Sequence, residues 1–318
     1  MALFLTDDEV GQALGMEDAV AALREAFAGG YDLLPRWRGR APEGTVGVYN
    51  VMAASVPAMG YMGLKSYAWV KGGRVRFHVL LYSWTTGGLE AVLEADRLGQ
   101  VRTGAASGVA TDLMAGPAAH VMACIGAGHQ AFYQIAAVAA VRKLSEVRIV
   151  SRRAERAQAM ADRVASSLGL SARVVPSPQE AVAGADIVTT ITSASQPVLL
   201  GEWLSPGTHI NAAGSNVATH RELDEAAVLR AGRIVVDDRA EAAVECGDIL
   251  AVIKAGRLAW DPVVNLADVV SGRALGRTST DEITLFESQG IAVEDVAVAA
   301  RTLANARRLG LGKELAIE

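Results

Sequence analysis

Residues 121–141 read VMACIGAGHQAFYQIAAVAAV, and no other stretch restricts the fold of this chain so strongly. Its first five residues form an apolar run too short for a helix and closed by glycine, which predicts a buried strand. Gly126-Ala127-Gly128 then demands a tight turn. An apolar-periodic helix follows, with Phe132, Ile135, Ala136, Val138 and Ala139 expected on its buried side. Gly126, Gly128 and Ala131 match the G-x-G-x-x-G/A spacing, in which each small residue has its own reason. Gly126 permits the turn, Gly128 lets a pyrophosphate approach the backbone, and Ala131 allows the helix to pack closely on the strand. The free N–H groups and dipole at the helix start favour phosphate charge. The pattern predicts a dinucleotide site.

Alone, such a pattern is weak, because glycine-rich turns arise for plain loop reasons. Its surroundings strengthen it. A second strand, 146–151, ends about 20 residues beyond Ala131, where a ribose-binding residue belongs, and a helix over 154–168 follows. NAD sites usually carry Asp or Glu at the end of that strand. Here the position is Ser151, followed by Arg152 and Arg153. With no carboxylate to repel it, a 2′-phosphate can sit against the guanidinium groups and the hydroxyl. Two cations at a helix start oppose the dipole and need a reason. The segment favours NADP over NAD.

The 318 residues suggest two domains, and a chain 51% hydrophobic but only 5% aromatic has the composition of an α/β enzyme with ample core. A formal charge of -5 supplies no basic field for nucleic acid or anionic lipid. The two cysteines, Cys124 and Cys246, make no disulfide framework, and Cys124 reads as a small buried hydrophobe. His78, His120, His129, His209 and His220 are scattered, so no metal site is expected. His129 falls in the nucleotide turn and reads as a phosphate or solvent contact. The opening MALFLTDDEV lacks the basic and apolar regions of a signal peptide. No apolar run is long enough to cross a membrane, and a cytoplasmic protein is expected.

In chain order, Thr6-Asp7-Asp8-Glu9 is a capping box that opens a helix ended by Gly15. A second helix carries Met16, Val20, Leu23 and Phe27 at 3.6 spacing and ends at Gly29-Gly30. Residues 44–95 then alternate as strands over 46–52, 63–70, 76–83 and 89–93, with turns at Lys71-Gly72-Gly73 and Thr86-Gly87-Gly88. This predicts a sheet of hairpins and a distinct first domain. A helix over 99–115 is broken at Gly116-Pro117, just before the nucleotide strand. Strands are expected over 172–175, 186–192, 209–213 and 233–237, alternating with helices in a parallel sheet. A last helix, 294–309, can pack back onto the first domain.

Three cationic features stand outside the dinucleotide region. Pro35-Arg36-Trp37-Arg38-Gly39-Arg40 reads as a loop before the first strand. Lys65 lies in the strand run YMGLKSYAWV, and Arg102-Thr103 near the start of a helix of very small residues. An arginine fork grips a carboxylate in a bidentate way, and a lysine adds a point charge that also moves a proton. A single arginine is more often a solvated charge. Lys65 interrupts a Trp/Tyr-rich strand, and the functional reading is preferred there. The small residues after Arg102 suit close packing or a flat ligand equally. Gly214-Ser215-Asn216 follows a strand at its carboxyl end, where ligands sit in open α/β sheets, or where the chain merely turns. Asp237-Asp238-Arg239 and Glu245-Cys246-Gly247-Asp248 read as capping and salt-bridge residues.

Taken together, these residues resemble the ornithine cyclodeaminase/μ-crystallin family over nearly the whole chain. The marks are Gly63-Leu-Lys65, Arg102-Thr-Gly-Ala-Ala-Ser107 and Ile125-Gly-Ala-Gly-His-Gln130, then Asn211-Ala-Ala-Gly214 with Arg221-Glu-Leu223. Phe286-Glu-Ser-Gln-Gly290 with Glu294-Asp295 completes the set. The resemblance implies a homodimer and hydride transfer between nicotinamide C4 and the α-carbon of an amino or imino acid. By position it implies that Arg38, Lys65 and Arg102 grip the substrate carboxylate, with Arg36 and Arg40 as alternatives to Arg38. Lys65 also assists proton transfer. Gly126, Gly128 and Gln130 would touch the pyrophosphate, and Ser151, Arg152 and Arg153 the adenosine ribose and its phosphate. Thr103, His129, Thr192, Gly214, Ser288 and Gly290 complete the implied cofactor set.

One position departs from the family. Cyclodeaminases and the related alanine dehydrogenases carry an aspartate where this chain has Asn216. An amide cannot act as a general base at neutral pH, though it can orient water or a ligand. The expected architecture is therefore α/β. A Rossmann-type doubly wound parallel sheet (116–290) joins a mixed α+β substrate and dimerisation domain (1–115, completed by 291–318). The expected activity is NADPH-dependent reduction of a cyclic imine. Ornithine cyclodeaminase or alanine dehydrogenase is the alternative, and an NADPH-dependent small-ligand-binding protein the reading of another class.

Overall fold

Local signals at the start of the chain are realised as hydrogen bonds. In a computed structural model that describes residues 2–316, the Thr6 N–H donates to Glu9 Oε2 at 2.9 Å and the Glu9 N–H donates back to Thr6 Oγ1. Strand β1 (Ala2–Leu5) precedes this box, and helix α1 (Asp7–Ala13) follows it. Gly15 does not end α1, as the sequence suggested, but begins α2 (Met16–Gly29), which buries Val20, Leu23 and Phe27. The strands β2 (Asp32–Arg40), β3 (Gly47–Val56), β4 (Tyr61–Val70), β5 (Arg76–Ser83) and β6 (Leu89–Glu94) form an antiparallel ladder.

Two strands here were not expected. The segment with Arg36, Arg38 and Arg40 is β2 rather than a loop. Its register shifts between Leu34 and Trp37, which accommodates Pro35, and an edge strand tolerates proline because one side of its backbone needs no partner. The other is β1, which pairs in parallel with β6 and makes the sheet mixed.

Helix α3 (Asp96–Met114) leads from this ladder to the second set of elements. These are β7 (Val121–Ile125), α4 (Ala131–Val141), β8 (Glu146–Val150), α5 (Ala154–Leu168), β9 (Ala172–Val174), α6 (Pro178–Val182), β10 (Ile187–Thr190) and β11 (His209–Ala212). The series continues with α7 (Glu225–Arg230), β12 (Ala231–Val236), α8 (Arg239–Glu245), α9 (Gly247–Lys254), β13 (Val263–Asn265), α10 (Leu266–Val270) and β14 (Ile283–Glu287). All eight strands are parallel, in the order β13-β12-β14-β11-β10-β7-β8-β9. The order reverses between β7 and β10, and such a switch point opens a crevice at the carboxyl ends of the strands. Strand β14, unanticipated from the sequence, lies inside this sheet. It is buried along its whole length, so no alternation betrays it.

Helix α11 (Ala292–Leu309) and strand β15 (Lys313–Leu315) then rejoin the first ladder, with β15 antiparallel to β1. That sheet reads β15-β1-β6-β5-β4-β3-β2. The chain divides into two compact units, one running to Arg102 and resuming at Ile291, the other Thr103–Gly290. The division falls inside α3, ahead of Gly116-Pro117. The later part of α3 belongs to the second unit and is bonded within it. Asn211 donates to Thr111 Oγ1, Arg142 to Asp112, and Arg277 to the Met114 carbonyl.

Candidate active site

In the first unit, the residues of β4 that share a face with Lys65 point toward α11. A Cβ added at Gly63 would lie 3.2 Å from Val296 Cγ2. Lys65 itself is only 3% exposed. Its Nζ donates to Asp295 Oδ1 at 3.0 Å and lies 5.2 Å from the Phe77 ring centroid and 5.8 Å from that of Tyr67. Arg102 Nη1 donates to Glu294 Oε2 at 2.6 Å, and Arg102 Nε stands 3.2 Å from the same Asp295 Oδ1. One carboxylate oxygen thus faces both cations. Glu294 and Asp295 lie in the first turn of α11, where the helix dipole favours negative charge.

Burial pushes the Lys65 ammonium down to about 8, with Asp295 opposing the shift and Arg102 and Arg36 adding to it. Burial also works against the Arg102 charge, but Asp295 and Glu294 outweigh it and raise the guanidinium further. Burial raises the Glu294 carboxyl, with Arg102 opposing. Ion pairs this deeply buried are a poor source of stability, and perturbed groups gathered in this way mark functional sites. Arg36 donates from Nη1 to Tyr67 Oη at 3.2 Å. Arg38 stands opposite Asn50, which stands opposite Tyr67, so the pleat puts Arg38 on the Lys65 face of the sheet.

In the second unit, Gly126 adopts φ +121°, and a Cβ there would sit 2.3 Å from the Ile191 carbonyl oxygen. Gly128 has open space where its Cβ would be. Both line a cavity of about 640 Å³ together with Ser151, Arg152, Arg153 and Thr192. Arg156 lines it too. Arg152, Arg153 and Arg156 are exposed, and among the described residues no carboxylate pairs with any of them. His129 borders a smaller cavity of about 350 Å³ with Gly128, Arg156 and Arg163. Gln130 Oε1 is buried and accepts no hydrogen bond. These residues fit a dinucleotide: a bare glycine turn at a helix start, an orphaned polar oxygen and unneutralised guanidinium groups at the end of β8.

The loops beyond β10 and β11 are clasped by one buried carboxylate. Glu222 accepts from Thr192 N–H at 2.7 Å, Thr192 Oγ1 at 2.6 Å, Thr190 Oγ1 at 3.0 Å and Gly214 N–H at 2.8 Å. Burial raises its pKa, with the Thr192 hydroxyl opposing. The N–H groups of Glu222 and Leu223 donate in turn to Asp248 Oδ1 at 3.0 and 2.9 Å. Burial lifts Asp248 to about 7, and the Leu223 N–H opposes that shift. Asn216 lies in the half-buried loop that Glu222 holds at Gly214. Gly290 N–H donates to Asp237 Oδ2 at 2.6 Å, Ser288 N–H to the Ala212 carbonyl, and the Thr103 carbonyl accepts from Gln134 Nε2.

Of the residues expected from the sequence, Lys65 and Arg102 meet in the first unit, and Gly126, Gly128, Ser151, Arg152, Arg153 and Thr192 meet around one cavity in the second. Thr103, Gln130, Gly214, Asn216, Ser288 and Gly290 are not among that cavity's lining residues. Sequence reasoning gave no role to Glu294, Asp295 and Glu222. The available signal was acidic residues set into apolar runs, as in IAVEDVAVAA.

The sequence model of the ornithine cyclodeaminase/mu-crystallin family matches residues 2–308. The chain is 38% identical to a Delta(1)-pyrroline-2-carboxylate reductase of Bacillus cereus over 238 residues, covering 74% of this chain and 73% of that one. It is 33% identical to an alanine dehydrogenase of Archaeoglobus fulgidus over 327 residues, covering 98% of each. Among solved structures, Thermococcus litoralis Delta(1)-pyrroline-2-carboxylate reductase in complex with NADH and L-proline superposes with a TM-score of 0.92 at 30% identity. That match covers 98% of this chain and 100% of the other.

Proposed function

The chain belongs to the ornithine cyclodeaminase/mu-crystallin family, and from that premise we propose that it reduces the C=N bond of a cyclic α-imino acid with NADPH. The observation that carries this reading is the buried Lys65–Arg102 pair. It offers guanidinium charge for a carboxylate beside an ammonium poised to release a proton near neutral pH. Arg102, with Arg38 and Arg36 from β2, holds the substrate carboxylate. Lys65 holds the proton destined for the substrate nitrogen, and the Tyr67 and Phe77 rings keep water from it. The reduced nicotinamide, when bound, supplies the hydride. Gly126, Gly128 and Gln130 would hold the pyrophosphate, and Ser151, Arg152 and Arg153 the ribose and its 2′-phosphate. Thr103, His129, Thr192, Gly214, Ser288 and Gly290 would complete the cofactor site. Asn216 orients a water or ligand rather than removing a proton.

A second reading, an amino acid dehydrogenase, is favoured by the full-length likeness to alanine dehydrogenase. Asn216 argues against it, because that chemistry needs a base at the position. A substrate panel followed at the nicotinamide absorbance separates the two. Rapid NADPH oxidation with cyclic imino acids and none with pyruvate and ammonia supports the reductase. The reverse result supports the dehydrogenase, and no oxidation of NADPH or NADH by any member overturns both.

The proposal includes a cytoplasmic homodimer. Support for the dimer is the outer face of the β2–β4 sheet, where Leu34, Trp37 and Tyr49 are 56, 56 and 45% exposed and Leu34 lines an open groove with Met62 and Leu64. Cys124 and Cys246 are free thiols. Among the described residues no helix is long and apolar enough to cross a membrane.

A further inference from the structure

Resting on the imine-reductase reading, we propose that Asp295 is a positioning residue. Its Oδ1, 3.0 Å from Lys65 Nζ and 3.2 Å from Arg102 Nε, fixes both cations in one frame and keeps Lys65 charged as the proton donor to the substrate nitrogen. Asp295 is fully buried, and its second oxygen accepts no hydrogen bond. Its carboxylate therefore serves these cations and nothing else among the described residues. Glu294 takes Arg102 Nη1. An ammonium carries three N–H groups and a guanidinium five, so the hydrogen bonds to Asp295 and Glu294 use only part of what each cation can donate. The acids thus hold each cation at one end and leave donors for a carboxylate and for the nitrogen beside it.

Several groups bear on the Lys65 charge. Asp295 and Glu294 approach from α11, Arg102 from α3, Arg36 from β2 and Tyr67 from β4, with the uncharged Phe77 ring from β5. Burial and the two arginines drive the proton off, and Asp295 opposes them. In the reduction the C=N π pair moves to nitrogen. The carbon gains the hydride of the reduced nicotinamide, which is left oxidised, and nitrogen gains the proton of Lys65. The lysine, left neutral, is recharged from solvent.

The test is the titration of Lys65 by NMR of isotopically labelled lysines in the cofactor-free protein, with Lys65→Arg identifying its signal. In Asp295→Asn the proton affinity of Lys65 falls by about tenfold or more, so its midpoint drops by at least one pH unit. The alkaline limb of kcat/KM moves the same way, and Asp295→Glu restores part of it. A merely structural aspartate moves neither midpoint nor limb, and that result overturns the proposal. Should Asp295→Asn fail to fold, Arg102→Gln reads the same frame with opposite sign. Lys65 then titrates at higher pH, and an unmoved midpoint is equally fatal. Absence of imine reduction by the native protein refutes the activity alone, because the lysine titration still decides what Asp295 does.

Discussion

Gly214 and Glu222 share a contact that leaves no room for a side chain: the Gly214 N–H donates to Glu222 Oε2 at 2.8 Å, and a Cβ on residue 214 would lie 2.4 Å from that same oxygen. The Thr192 carbonyl closes the other side, also at 2.4 Å. Gly214→Ala therefore expels the carboxylate that holds both loops. It is expected to destabilise the protein by about 2–4 kcal/mol, as overpacked and unsatisfied buried sites do. Denaturant unfolding measures this, and a variant as stable as the parent would remove Glu222 as the clasp.

The two glycines of the dinucleotide turn are expected to differ. Gly126→Ala meets the Ile191 carbonyl and a φ of +121°, so it loses more than about 3 kcal/mol of stability. Gly128→Ala meets nothing in the protein. It is expected to melt like the parent yet bind NADPH about tenfold or more weakly, because its methyl occupies the space for phosphate. Calorimetry of melting and of NADPH binding separates the two effects. Unchanged affinity in Gly128→Ala sinks the assignment.

His209 gives the fold an acid limit. The ring is fully buried between Thr284 Oγ1 at 2.9 Å and Asn211 Oδ1 at 3.2 Å. Burial, with Arg277 adding, pushes it from 6.5 down to about 3. The unfolded chain takes up this proton near the ordinary histidine value, whereas the folded one refuses it until far lower pH. Stability is thus complete above that value and falls as pH drops toward 3, by about 1.4 kcal/mol per pH unit. His209→Gln is expected to lose less stability than the parent between pH 7.5 and 4.5, by about 2–3 kcal/mol. Urea unfolding at the two pH values checks it, and equal losses would contradict it.

Cofactor choice is expected to turn on the end of β8. Ser151→Asp places a carboxylate beside Arg152 and Arg153, repelling a 2′-phosphate and accepting ribose hydroxyls instead. kcat/KM for NADPH should fall about tenfold or more while that for NADH is kept or rises. Steady-state kinetics with both cofactors decides it; a parent enzyme indifferent to the 2′-phosphate would rule out the NADP preference.

Much of this architecture was legible because its signals are local. The capping box at Thr6, the fingerprint at Gly126 and helix α5 each follow from residues close together in the chain. Lys65 and Arg102 stood out as cations among apolar or small neighbours. Their partners did not, because Asp295 is 230 residues from Lys65 and Glu294 is 192 from Arg102. No spacing rule spans such intervals. Strand β2 hid behind Pro35 and three arginines, which read as a loop until the register shift and edge position are known. Glu222 was visible only as a family mark, since its four donors come from three separate residues brought together by the parallel sheet.

The return of α11 to the first unit has a consequence for biosynthesis. The helix that supplies Asp295 emerges from the ribosome only after the whole of Thr103–Gly290. The second unit is contiguous and can fold as soon as it is made, whereas β3, β4 and β5 wait for the helix that covers them. Until then the ammonium of Lys65 has no counterion, and nascent chains stalled before residue 291 should engage chaperones through the exposed ladder.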